Sequence, residues 1–265
     1  MTANEASPAD HRAGPLPPGL LADYPWLTFV LPFAVFMLLT MLEPKPPDPA
    51  VLAGAPPGAR LHADSVYQRY PLIHTFKLVA TLGTMVLVLP GYRTFPLRVS
   101  PLALLVGLVG GVVWIWLSRL HLEAKLVEAV GLDGILKLGQ RSAFDPWNWL
   151  SGSWAYGFLA IRFVGLVLIV PVMEEFFLRG FLMRYVMAME WWRLPFGTAN
   201  RTALVVGTAI PVLSHPEILA ALVWFSAVTC LMLKTRNIWD CIMAHALTNL
   251  VLGVYVVATG HWELM

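Results

Sequence analysis

Eight apolar segments limit what this chain can become. They run approximately over 26–42, 72–90, 102–117, 158–173, 176–192, 202–213, 218–233 and 238–259. About 20 apolar residues span a bilayer as a helix, with a range of about 17–25. Lipid offers backbone polar groups no partner outside the chain, so every such segment must be helical. The weakest is 202–213, a span that other helices would have to shield. Composition agrees: of 265 residues, 58% are hydrophobic and 13% charged, against about 25% charged in a soluble domain. The fold class that follows is all-α, a polytopic membrane helix bundle with about eight transmembrane helices.

The stretches between the segments divide the chain further. Residues 1–25 lack the basic start and small-residue cleavage site of a secretory signal and read as a flexible tail. The stretch 43–60, EPKPPDPAVLAGAPPGAR, is too rich in proline for a helix and reads as an extended linker. SRLHLEAKLVEAV, from Ser118, has apolar residues near helical spacing and reads as an interfacial amphipathic helix. Trp147, Trp149 and Trp154 suit a membrane–water boundary. Cys230 and Cys241 form no C-x-x-C pair and read as buried thiols. The domain division is a tail (1–25), membrane helices with proline-rich and amphipathic loops (26–157), and a motif-bearing core (158–265). A net charge of +2, with no basic tract and no phosphate loop, excludes a nucleic-acid partner. With eight spans, the loops after odd-numbered segments hold twelve lysines and arginines, from Lys45 to Arg236. The other side holds three, Arg12, Arg93 and Arg98. That bias places both termini outside the cytoplasm, an assignment that one miscounted span would invert in the C-terminal half.

Three polar groups interrupt the C-terminal segments: Glu174-Glu175-x-x-x-Arg179, Ser214-His215, and His245-x-x-x-Asn249. A charge at the bilayer centre costs about 2.5–3.5 kcal/mol on insertion scales, so each needs a reason. Residues four apart share a helix face, which lets Glu175 and Arg179 neutralise each other and sets His245 beside Asn249. Glu174 points about 100° away from its neighbour, off the face that carries Arg179. Each group alone has a structural explanation, a buried ion pair or an interhelical hydrogen bond of about 0.6–2 kcal/mol. Together they can line one polar pocket. A carboxylate in such a pocket suits a general base, a histidine titrates near neutrality, and a neutral histidine with an asparagine amide can donate to an oxyanion. This is the equipment for peptide hydrolysis by activated water. Glu174, His215 and His245 would also make a zinc set with an open position, although H-E-x-x-H is absent, and no serine or cysteine sits in a nucleophile elbow.

At these residues the sequence resembles the CPBP family, the CAAX proteases and bacteriocin-processing enzymes, which are intramembrane endopeptidases. Glu174-Glu175-Phe176-Phe177-Leu178-Arg179 followed by Gly180, and His245-Ala246-Leu247-Thr248-Asn249, match the family's first and third motifs; the second is partial, with His215 present but Pro211 where an aromatic is expected. The runs LPFAVFMLL, RFVGLVLIVPVMEEFFLRGFL and MAHALTNLVLGVYVVATGHW resemble a bacterial subgroup found beside exosortase sorting systems. The resemblance implies that Glu174 and His215 activate water, that His245 and Asn249 form the oxyanion hole, that Glu175 and Arg179 brace the site, and that no catalytic metal is needed. It implies a multi-pass protein of the bacterial inner membrane that cuts near the C-terminus of a membrane-associated protein or peptide, with a sorting enzyme as a further partner. Two other classes stand beside this one: a catalytically idle scaffold or partner of a sorting system, and a transporter using Glu174 as a proton carrier.

Overall fold

A computed structural model describes residues 16–47, 56–129, 131 and 143–264. Among these residues there is no strand, and the architecture is an all-α bundle. Among the described residues, five helices are long and apolar enough to cross a membrane: α2 (Gly58–Leu87), α3 (Pro101–Leu120), α4 (Gly152–Tyr185), α6 (Ile218–Thr235) and α7 (Ile238–Thr259). Two shorter apolar helices complete the bundle, α1 (Trp26–Thr40) and α5 (Arg201–Leu213). Large apolar side chains such as Leu72, Val79, Leu105 and Val112 lie on the outside, as expected where the solvent is lipid.

The expected fourth and fifth segments are one helix. α4 is continuous for 34 residues, through the glutamate pair that breaks the hydropathy of the sequence. Two π-helical stretches, Gly165–Ile169 and Phe176–Leu182, flank the α-helical turn Val170–Glu175. Glu175 and Arg179 pair within the helix, which removes the charge penalty that would otherwise end it. By length and composition, the two expected segments make a single candidate span.

The contacts at each end define the new arrangement. One end gathers the start of α1, the α2–α3 and α4–α5 connections and the α6–α7 turn. There Phe29 packs on Phe95 and Trp191, Trp239 Nε1 donates to the Phe95 carbonyl at 3.1 Å, and Asn237 Nδ2 donates to the Arg98 carbonyl at 2.8 Å. The opposite end gathers Glu43, Phe144, the α3 terminus and Trp262. Glu43 accepts from His74 Nδ1 and Lys77 Nζ, both at 2.7 Å, and Arg162 donates to the Phe144 carbonyl at 2.9 Å. Burial alone would raise the pKa of Glu43; the His74 hydrogen bond and the Lys77 charge outweigh it and hold the carboxyl below its ordinary value. The start of α1 and the end of α7 thus lie at opposite ends of the bundle.

Other expectations are modified locally. The proline-rich stretch turns helical at Pro57–Tyr67, where Pro57 occupies the first turn and its missing N–H costs nothing; 48–55 lie outside the described residues. The amphipathic stretch forms Leu122–Ala129. Of the tail, 1–15 lie outside the described residues, and Leu20–Asp23 make one helical turn. Cys241 is buried, but Cys230 is exposed. α3, which the sequence sets apart from the motif-bearing region, packs directly on α7. Gly107 and Gly111 permit this, since a Cβ on either would sit 2.8 Å from Ala244 O or Val251 Cβ.

Candidate functional site

Glu174, His215, His245 and Asn249 line a single cavity of about 230 Å³. Its walls come from five helices, α1, α3, α4, α6 and α7, and from His215 just past the end of α5. Glu174 lies mid-way along α4, about 16 Å from Tyr185 at 1.5 Å per residue, and His245 about 10 Å from the Ile238 end of α7. Tyr185 and Ile238 share one end of the bundle, so the two side chains meet at similar depth without unusual tilt. The sequence-derived spans place Glu174 near a helix end; the continuity of α4 moves it to the interior. α5 has 13 residues, about 20 Å, short of the roughly 30 Å hydrocarbon layer. Its end therefore leaves His215 within the bundle. At the other extreme the cavity is bounded by Glu217 and Leu264, so it leads toward the end that carries Trp262.

The two glutamates have different surroundings. Glu175 is buried, at 1% side-chain exposure, and both its oxygens are engaged: Arg179 Nη1 donates to Oε2, and His245 Nδ1 donates to Oε1 at 3.0 Å. Glu174 is 29% exposed and places Oε2 3.9 Å from His245 Nε2. His245 thus stands between the two carboxylates. A carboxylate only accepts, so Glu175 fixes the proton of a neutral His245 ring on Nδ1. Nε2 then donates only when the ring is cationic.

His215 is oriented by the proline that replaces the expected aromatic. Its Nδ1 donates to the Pro211 carbonyl at 2.7 Å, and Ser214 Oγ donates to the same carbonyl at 2.7 Å. The neutral ring carries its lone pair on Nε2. Trp114 and Phe225 meet it edge-on, at 5.6 and 5.3 Å between centroids. Asn249 Nδ2 donates to the Leu166 carbonyl at 2.9 Å.

A supporting chain runs through residues that sequence reasoning passes over. Thr248 Oγ1 donates to the Gly107 carbonyl and accepts from Trp224 Nε1, each at 2.9 Å; the Trp224 ring packs on His245 at 4.7 Å and 65°. The signal available is Gly107-x-x-x-Gly111, a spacing that brings membrane helices close. Trp224 and Thr248 themselves look like any apolar-helix residues.

Among the described residues, no three His, Cys, Asp or Glu side chains gather as a metal-binding group. Glu174, His215 and His245 share the cavity, but a zinc ion would have to draw both histidine Nε2 atoms and Glu174 onto one centre. What the cavity does offer is a partly exposed carboxylate, an imidazole and an amide in one sheltered space. No curated protein and no solved structure matches the chain. Residues 156–251, a stretch that includes all four of these side chains, match the family model described as type II CAAX prenyl endopeptidase Rce1-like.

Proposed function

We propose that the protein is an intramembrane endopeptidase that hydrolyses a peptide bond near the C-terminus of a membrane-associated protein. The observation that carries this reading is the cavity shared by Glu174, His215, His245 and Asn249; the match of 156–251 to CAAX endopeptidases supports the same class of chemistry. Glu174 takes a proton from water as the water oxygen attacks the scissile carbonyl carbon. His215, with its Nε2 lone pair, holds that water. The carbonyl oxygen becomes an oxyanion, stabilised by the Asn249 amide and by His245 in its cationic form, whose charge Glu175 balances. Collapse of the tetrahedral species breaks the C–N bond, and the proton on Glu174 goes to the leaving amine. Arg179 keeps Glu175 ionised and in place.

The substrate reaches the cavity from the end that carries Glu217 and Leu264. The finer likeness, to bacterial proteins that accompany exosortases, gives trimmed C-terminal membrane tails as the substrate class and a sorting enzyme as the partner. The test uses purified wild type and Glu174→Ala in lipid nanodiscs. Each is incubated with membrane-protein C-terminal tails, one of them a prenylated CAAX peptide, and read by mass spectrometry. Cleavage by wild type alone is the expected result. Equal products from both proteins, or none from either, would remove the hydrolase reading; in the second case, a cellular role that survives Glu174→Ala would favour the scaffold. Metal content measured on the same sample is expected to be substoichiometric, and activity to withstand chelators.

A further inference from the structure

The Leu166 carbonyl that holds Asn249 loses both donors that a helix would ordinarily offer it. In a regular α-helix Val170 N–H would reach it, but in the π stretch Val170 N–H bonds to Gly165 O. The next donor in the π pattern would belong to residue 171. That residue is proline, which has no N–H. The carbonyl is therefore left to a side chain, and the side chain that takes it is Asn249. We propose that Pro171 is a positioning residue for the site: by withholding a backbone donor it frees the Leu166 carbonyl, and that carbonyl sets the orientation of the Asn249 amide. An amide group is planar, so one N–H held on Leu166 fixes the direction of the other. Leu166 and Asn249 both line the cavity, so the fixed donor serves the space where the carbonyl oxygen of a substrate would sit.

The catalytic consequence rests on the function proposed above; the positioning itself does not. A proline that merely bent α4 would act on packing and leave Asn249 independent. A proline that withholds a donor makes positions 171 and 249 interdependent, because Pro171→Ala supplies an N–H that competes for Leu166 O. A double-mutant cycle in nanodiscs separates the two. Asn249→Ala is expected to lower the unfolding midpoint by about 2–4 °C when Pro171 is present, from loss of one hydrogen bond to a carbonyl with no alternative donor. It is expected to cost nothing once Pro171→Ala or Pro171→Gly has filled that carbonyl. Additive effects in both backgrounds would overturn the proposal, whether or not the protein cleaves any peptide. On a tail that wild type cleaves, Pro171→Ala is expected to lower kcat about tenfold with KM unchanged, and to cause no further fall beside Asn249→Ala. A change confined to KM, or a full tenfold fall in the Asn249→Ala background, would count against it equally. If no tail is cleaved, the protease reading fails and the unfolding cycle alone decides.

Discussion

Glu174 and Glu175 are neighbours on one helical turn, yet their substitutions should separate stability from activity. Glu175 is buried between Arg179 and His245. Glu175→Gln leaves the Arg179 cation without its counter-charge, and removing one partner of a buried pair costs about 3–5 kcal/mol. A clear fall in the unfolding midpoint is expected. Glu174 is partly exposed in the cavity, and Glu174→Gln is expected to change stability by no more than about 0.5 kcal/mol while lowering cleavage about 10²–10⁴-fold. The opposite pattern, with Glu174→Gln unfolding the protein and Glu175→Gln leaving it intact, would exchange the roles of the two carboxylates. These residues are legible in the sequence because each is costly in lipid and none belongs in an apolar run without a reason. The partner of His245 is not. Helical spacing shows which residues share a face of one helix, but it cannot show that α7 sets a histidine against Glu175 of α4. Trp224 and Thr248 escape notice for a different reason: both are ordinary in a membrane helix, and only the hydrogen bonds to each other and to Gly107 O give them a role.

At the scale of helices, the close packing of α3 on α7 places the supporting chain against the site. Gly107→Ala would put a Cβ 2.8 Å from the backbone oxygen of Ala244, and backbone cannot rotate away as a side chain can. The helices must separate, which displaces Thr248 from the Gly107 carbonyl and Trp224 from His245. A stability loss of about 1–3 kcal/mol is expected, together with reduced cleavage. Gly83→Ala in α2 meets nothing within 4 Å and is expected to be neutral or slightly stabilising. Equal effects of the two substitutions in thermal unfolding would show that close approach is not what Gly107 provides. Most helices are readable from the length of the apolar runs, and α5, the weakest of those runs, is indeed too short to span alone. Hydropathy divides α4 in two because Glu174, Glu175 and Arg179 lower its local value as a loop would. It counts charges singly; within the helix Glu175 and Arg179 cancel. The π stretches have no periodic signature of their own, and the role proposed for Pro171 becomes visible only once the Leu166 carbonyl is seen to have a partner in Asn249.

For the whole molecule, the continuity of α4 decides the topology and with it the side from which substrate arrives. With α4 unbroken, Arg93, Arg98, Arg184, Arg193, Arg201, Lys234 and Arg236 lie at the end where Phe95 meets Trp239. Lys45, Arg60, Arg69, Arg119 and Lys125 gather at the other. The strong charge bias that eight spans imply disappears, so the positive-inside rule no longer orients the bundle. Chemical labelling can orient it. In a background with Cys230 and Cys241 replaced, single cysteines at Arg93 and Glu190 are expected to react with a membrane-impermeant maleimide from one side. Cysteines at Glu123 and Glu263 are expected to react from the other. Glu123 and Glu190 labelled from the same side would mean that α4 is two crossings after all, and Glu174 would return to a helix end. Because the cavity is bounded by Glu217 and Leu264, the side that labels Glu263 is the side from which a peptide tail would enter under the proposed function. A bulky adduct at Glu263 is then expected to slow cleavage, whereas the same adduct at Glu190 is not. On the proposed function, Glu263 facing the compartment of exported tails would make those tails the substrates, and Glu263 facing the cytoplasm would make them tails that have not yet left it.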